Sequence, residues 1–158
     1  MTQRVLAIDP GFDRVGMAVL DKDKVLYSEC LETDRKATQA ERLVEIGEAV
    51  EKVIKKWKPN VLAIETLFFN QSTSTAMRVA EARGVILYKA AEAGLSVYEY
   101  SPQAIKIAVT GYGKADKKQI EMMVKKLIKL PTSKIKRLDD ELDAIALGIT
   151  HFASNGRK

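Results

Sequence analysis

The chain is poor in several things that would point elsewhere. Among its 158 residues there is one cysteine, Cys30, and one histidine, His151. A single cysteine excludes an intrachain disulfide and fits a reducing compartment. Cys30 then reads most simply as a small buried side chain. No apolar run approaches the roughly 20 residues needed to cross a bilayer. No charged-then-apolar leader opens the chain, because Val5 begins a strand at once. These absences point to a cytoplasmic protein without membrane attachment. There are no internal repeats and no long disordered tail. With 46% hydrophobic and 30% charged residues, the balance is that of a soluble globular protein. The length suits one domain over residues 1–158 with a real core, and is short for two.

The formal net charge is +5, and its distribution is uneven. The stretch from Gln103 to Arg137 holds ten Lys or Arg and two acids, a local net of +8. The remaining residues carry a net of −3. Basicity confined to one region favours a nucleic-acid face over general solubility.

Hydrophobic spacing divides the chain into elements. Arg4–Asp9, Val15–Asp21 and Val25–Leu31 read as three strands joined by short turns, an antiparallel meander. Leu43, Ile46, Val50, Val53 and Trp57 recur every three or four residues, which predicts an amphipathic helix over Ala37–Lys56. Val61–Glu65 is a short apolar run between helices, as expected of a buried parallel strand. A polar loop, Asn70–Thr75, leads to a helix rich in small residues that Ser74 could cap and that Gly94 closes. Leu95–Tyr100 is a fifth strand. Helices are expected over Pro102–Val109, Lys117–Leu130 and from Leu138 onward. The order βββαβαβααα predicts an α/β fold. Its centre is a five-stranded mixed sheet, three antiparallel strands followed by parallel ones, with helices on both faces.

Two of these strands end in carboxylates, Asp9 and Glu65. In open α/β sheets, ligands bind outside the carboxyl ends of strands. If the two strands are parallel neighbours, the two acids meet at one sheet edge. The last helix offers Asp140 and Asp143, three apart and on one face beside its apolar stripe. Asp139 with Asp143, four apart, is a geometric competitor. Taken singly, each acid has an ordinary explanation as a turn residue, a strand end or a helix start that suits the dipole. Jointly they suggest a cation site, since four converging carboxylates cannot all stay ionised alone. Hard oxygen ligands select Mg2+ or Mn2+. Two such ions would serve phosphodiester hydrolysis without a general-base histidine.

Four motifs follow one another in order: AIDPGFDRVGMAVL, AIETLFFNQSTSTAMRVAEARGV, VYEYSPQAIKIAVTGYGKADKKQI and DDELDAIALGITH. From Arg4 to about Phe152 the chain resembles the RuvC family, the bacterial Holliday-junction resolvases. The resemblance implies a ribonuclease H-like fold and a homodimer. It implies an endodeoxyribonuclease that cuts four-way junctions symmetrically and leaves religatable nicks, with a branch-migration helicase complex as a further partner. It places the acidic quartet on Asp9, Glu65, Asp140 and Asp143, preferring Asp140 to Asp139. It matches Lys106 and Lys117 to basic positions that serve DNA and catalysis. The chain departs from the family pattern at Phe12-Asp13-Arg14-Val15, where a small polar residue and then a basic one is usual, and in the basic linker SKIKR.

For DNA contacts, Phe68-Phe69 before a polar loop suggests an aromatic that stacks on an unpaired base, worth roughly 1–3 kcal/mol. Register with the family selects Phe68. Lys114, Lys117 and Lys118 flank a glycine loop and open a helix, a setting suited to phosphate. Lys117 and Lys118 point about 100° apart. The small-residue helix around Met77–Ala91, with Tyr88, suits both the core and a dimer contact. Trp57 fits the core stripe, and His151 lies two turns beyond Asp143. Competing readings are an actin-like ATPase fragment, which would need a second lobe, a junction-binding protein without catalysis, and a related nuclease acting on structured RNA.

Overall fold

The computed structural model describes residues 3–67, 73–132 and 139–155. Strands β1 (Arg4–Asp9), β2 (Arg14–Asp21) and β3 (Lys24–Glu32) form the meander. Then come α1 (Gln39–Trp57), β4 (Val61–Glu65), α2 (Thr73–Glu92), β5 (Ser96–Tyr100), α3 (Pro102–Thr110), α4 (Lys117–Leu127) and α5 (Asp139–Asn155). The sheet order is β3-β2-β1-β4-β5. β1 pairs antiparallel with β2 and parallel with β4, so the mixed sheet expected from the element order is the one found.

Strand alternation splits the core in two. Leu6, Ile8, Leu62 and Ile64 pack against Ile46, Val50 and Val53 of α1 and Ala82 and Ile86 of α2. Val5, Ala7, Val61 and Ala63 face the other way, against Ile105 of α3, Val124 of α4 and Leu142, Ile145 and Leu147 of α5. Each large side chain buried in this way contributes about 1.5–3 kcal/mol. The helix ends are set by local chemistry. Thr38 and Glu41 form a capping box on α1, and Lys58 ends that helix in the left-handed region. Ser101 caps α3, with Pro102 in its first turn.

Two details differ from expectation. α4 stops at Leu127 instead of Leu130, because Ile128 adopts extended backbone and buries its side chain. Lys129 then bridges in parallel to Lys24. Ser74 lies inside α2, which begins at Thr73. Phe68, part of the polar loop, the SKIKR segment and Leu138 lie outside the described residues. Among the described residues no helix is long and apolar enough to cross a membrane.

Candidate active site

The side chains that share one face of the sheet converge on its edge. Val5 pairs with Val61 and Ala7 with Ala63, all four on the α5 side. Two residues further on, Asp9 and Glu65 leave their strands on that same side. α5 lies across it, and its first turn carries Asp139, Asp140 and Glu141. Asp9, Asp140 and Asp143 each place a carboxylate oxygen within 4.8 Å of the others. Glu65 adjoins them through a hydrogen-bond contact with Asp9. Asp139, left open by spacing, is not one of these three: it is exposed and shares Lys117 Nζ, 3.7 Å away, with Asp143.

Gly16 explains how α5 comes so close. It sits opposite Asp9 in the β1–β2 ladder. A Cβ on Gly16 would fall 1.9 Å from the backbone oxygen of Asp140. A glycine inside a strand is a sequence signal for close backbone approach. Gly16→Ala should push the first turn of α5 away from the sheet. We expect a loss of about 1–3 kcal/mol in urea unfolding, with weaker binding of divalent metal. Stability equal to the parent would mean that the helix shifts without cost.

Three side chains of β3 continue this contact. Ser28 Oγ donates to Glu141 Oε1 at 2.6 Å. Cys30 Sγ lies 3.8 Å from Asp140 Oδ2. Glu32 lies 3.4 Å from Arg14, whose Nε is 3.5 Å from Asp140 Oδ2. Cys30 is therefore not the small buried side chain expected: it is partly exposed, beside an acid. Burial and the Asp140 charge push its thiol up to about 11.

Asp9, Glu65 and Asp143 are held against ionisation. Burial pushes the Asp9 carboxyl up to about 8, and the charges of Glu65, Asp143 and Asp140 push the same way. Burial raises Asp143 to about 6, with the nearby Lys117 acting against it. Glu65 is raised by burial, which outweighs its contact with Asp9 and the pull of Lys106. Such a cluster is short of positive charge. Its all-oxygen donor set fits a hard divalent cation.

The basic residues divide. Lys106 and Lys117 line a cleft of about 300 Å³ with Glu65 and Asp143. Lys117 Nζ is 3.9 Å from Asp143 Oδ2. Asp116 caps α4, aided by Gln119, and so fixes the helix start that carries Lys117. Lys114 and Lys118 are exposed and do not line this cleft. His151 is fully buried, with Nδ1 2.9 Å from the Tyr100 hydroxyl and its ring against Tyr98. It is part of an aromatic cluster away from the acids. Trp57 is half-buried at the edge of the α1 core.

The unusual turn after Asp9 has its own fastening. Arg42 of α1 is buried, donates to Asp13 Oδ1 and to Thr33 Oγ1, and lays its guanidinium 3.9 Å over the Phe12 ring. Its hydrogen bond holds the Asp13 carboxyl below the usual carboxylate range. Asp13 is thus committed to arginine and is not a fifth member of the acidic cluster. An arginine inside an amphipathic helix looks like a surface residue, so the sequence carried no sign of this network.

Comparison with known proteins agrees with the geometry. The family described as "Crossover junction endodeoxyribonuclease RuvC" matches residues 5–151. The protein of that name from Fusobacterium nucleatum is 42% identical over 159 residues, covering 98% of this chain and 83% of its own length. The Thermus thermophilus RuvC structure superposes with a TM-score of 0.86 at 31% identity, covering 98% of this chain and 97% of the other. The T. thermophilus protein in complex with Holliday junction substrate gives 0.89 at 30% identity, covering 96% and 94%. The five-stranded sheet with its acidic edge is thus the ribonuclease H-like fold, and the chain belongs to the RuvC family of crossover junction endodeoxyribonucleases.

Proposed function

We propose that the chain is a Mg2+-dependent endodeoxyribonuclease that resolves four-way DNA junctions, cutting one strand per subunit of a homodimer. The observation that carries this reading is the carboxylate cluster of Asp9, Asp140 and Asp143 within 4.8 Å, with Glu65 beside it. The relatives' names and the junction-bound T. thermophilus structure support the choice of substrate. Asp9, Glu65, Asp140 and Asp143 would hold Mg2+ (or Mn2+), two ions in this reading. When bound, the metal supplies an activated water and charge compensation at the phosphodiester.

The chain's own residues do the rest. Asp9 and Glu65 are fixed by strands, and Asp140 and Asp143 by the first turns of α5, so the four acids are pre-positioned. Lys117 beside Asp143 offsets part of the negative charge and faces the cleft through which a phosphate would arrive. Lys106 does the same beside Glu65. His151 is walled off among aromatics, so a histidine is not the proton acceptor here. Phe68, outside the described residues, is assigned to base stacking at the branch. Lys114 and Lys118, exposed near the start of α4, are assigned to phosphates further from the cut. These exposed contacts give affinity without reading sequence.

A competition assay tests the substrate class. The purified chain with Mg2+ meets a four-way junction, a matching linear duplex and a structured RNA at equal concentration. Junction cutting at least about tenfold faster than either rival is expected, a margin of about 1.4 kcal/mol. Faster RNA cutting would move the chain to the RNA-nuclease reading. Binding without cutting in both Mg2+ and Mn2+ would leave a junction-binding protein.

The dimer draws support from α2, where Met77 is 60% and Tyr88 64% exposed. Large apolar side chains left in water on one helix suit a second subunit. Sedimentation should give twice the chain mass at micromolar concentration, and a lone monomer there would contradict the assignment.

A further inference from the structure

The acidic cluster borders two clefts. The Glu65 and Asp143 side is the lysine cleft described above. The Asp9 and Asp140 side opens into a second cleft of about 480 Å³, lined by Arg14, Arg35 and Arg78. These arginines come from separate places in the chain. Arg14 begins β2, Arg35 lies between β3 and α1, and Arg78 belongs to α2.

Each guanidinium is steered toward this cleft. Arg14 is held by Asp140 and Glu32, at 3.5 and 3.4 Å. Arg35 lies 3.9 Å from Asp13. Arg78 lies 5.4 Å from the centre of the Phe12 ring. Phe12 and Asp13 are in turn fixed by the buried Arg42. The departure from the family pattern in this turn therefore builds the floor on which two arginines rest.

Packing does not account for Arg35 and Arg78. Arg42 is the structural arginine: it is buried, and its Nε and Nη2 donate to Thr33 and Asp13. Arg35 and Arg78 are exposed, Arg35 with 76% of its side chain in water. A 3.9 Å ion pair between groups that open to solvent contributes little to stability. Planar guanidinium forks open to solvent suit a phosphate in two-point contact.

We propose that this cleft is a phosphodiester-binding subsite for the strand being cut. The strand crosses the acidic cluster, with the phosphate on one side of the reacting group held by the arginines and the other side facing Lys106 and Lys117. This inference rests on the nuclease reading above. Arg35 and Arg78 bind DNA directly; Arg14, tied to Asp140, is a positioning residue for the acid as well.

The test uses the full chain with a synthetic four-way junction, with Ca2+ replacing Mg2+ so that binding is measured without hydrolysis. Affinity is followed as a function of salt for the parent, R35A/R78A and R35K/R78K. For R35A/R78A the log–log salt slope should become shallower by about 2, roughly 1 for each phosphate that an arginine no longer neutralises. Affinity at low salt should fall at least about tenfold. R35K/R78K should keep most of the slope, because it keeps the charge. An unchanged slope and affinity in R35A/R78A would overturn the subsite. So would a fall in affinity that tracks a drop in thermal stability and is not restored by lysine. If the parent itself binds no junction, the nuclease reading fails and the subsite fails with it. If the parent binds and cuts junctions while R35A/R78A behaves like it, only the subsite fails.

Discussion

Asp9→Asn is expected to lower junction cleavage by about 10³-fold or more, while junction affinity in Ca2+ stays within about threefold of the parent. The amide keeps the size of the side chain, so β1 and its neighbours need not move. What it removes is an anionic oxygen at the centre of the cluster, the one whose ionisation burial and three nearby acids oppose most strongly. A site that gathers acids to attract a cation loses that cation first when the central charge goes. The proposed DNA contacts, by contrast, lie on Lys106, Lys117 and the arginine cleft, on either side of the acids. Asp143→Asn should behave in the same way, with the addition that Lys117 loses a partner at 3.9 Å. Single-turnover cleavage and equilibrium binding separate the two effects. Parallel loss of binding and cutting would mean that the acids shape the DNA surface and do not act in the chemistry.

A second large effect should appear in stability, without any DNA. Asp9 has an ordinary value of 3.8 and is raised to about 8 in the folded chain. Asp143 rises from 3.8 to about 6. A raised acid keeps its proton in the fold after the unfolded chain has released its own. The metal-free protein is therefore most favoured below about pH 4 as far as these groups are concerned. That advantage fades as pH rises through about 6 and about 8, at up to about 1.4 kcal/mol per pH unit for each proton involved. Divalent metal, which in the proposed reading binds only the folded cluster, would work in the opposite direction. At about a hundredfold excess over its dissociation constant it contributes about 2.7 kcal/mol. Added Mg2+ should thus raise the melting temperature strongly at about pH 8 and little at about pH 5. Asp9→Asn should flatten the pH dependence in EDTA and be more stable than the parent there at about pH 8. Thermal melts with and without EDTA across this range check both parts. A melting temperature that ignores Mg2+ at the alkaline end would contradict the assignment of the cluster as a cation site.

Much of this geometry was readable because it follows from short-range rules. Apolar runs that end abruptly in Asp9 and Glu65 mark buried strands, whereas their parallel pairing stays conditional in the sequence and is supplied by the sheet. The DxxD beside an apolar stripe places two more acids at a core boundary. The choice between Asp139 and Asp140 was not readable from spacing, since both are near Asp143 on a helix. The close approach of α5 at Gly16 turns Asp140 inward and leaves Asp139 to Lys117. Long-range polar pairings were also hidden. Arg42 reaches Asp13 across 29 residues, and Arg14 reaches Asp140 from the other end of the chain. Nothing local distinguishes such arginines from solvated ones. Cys30 misled for a related reason: its small side chain suggested the core, whereas β3 presents it to the acidic turn of α5.

Junction resolution by the acidic cluster is tested most directly by nucleotide-level mapping of cuts in a synthetic four-way junction, with Mg2+ and with EDTA. Paired nicks should appear at symmetry-related positions on two opposing strands, at or next to the branch, and ligase should seal them. No nicks should appear in EDTA, and none with Asp143→Asn. Cuts that persist in EDTA, scatter along the arms or leave ends that ligase cannot join would contradict a metal-dependent resolvase.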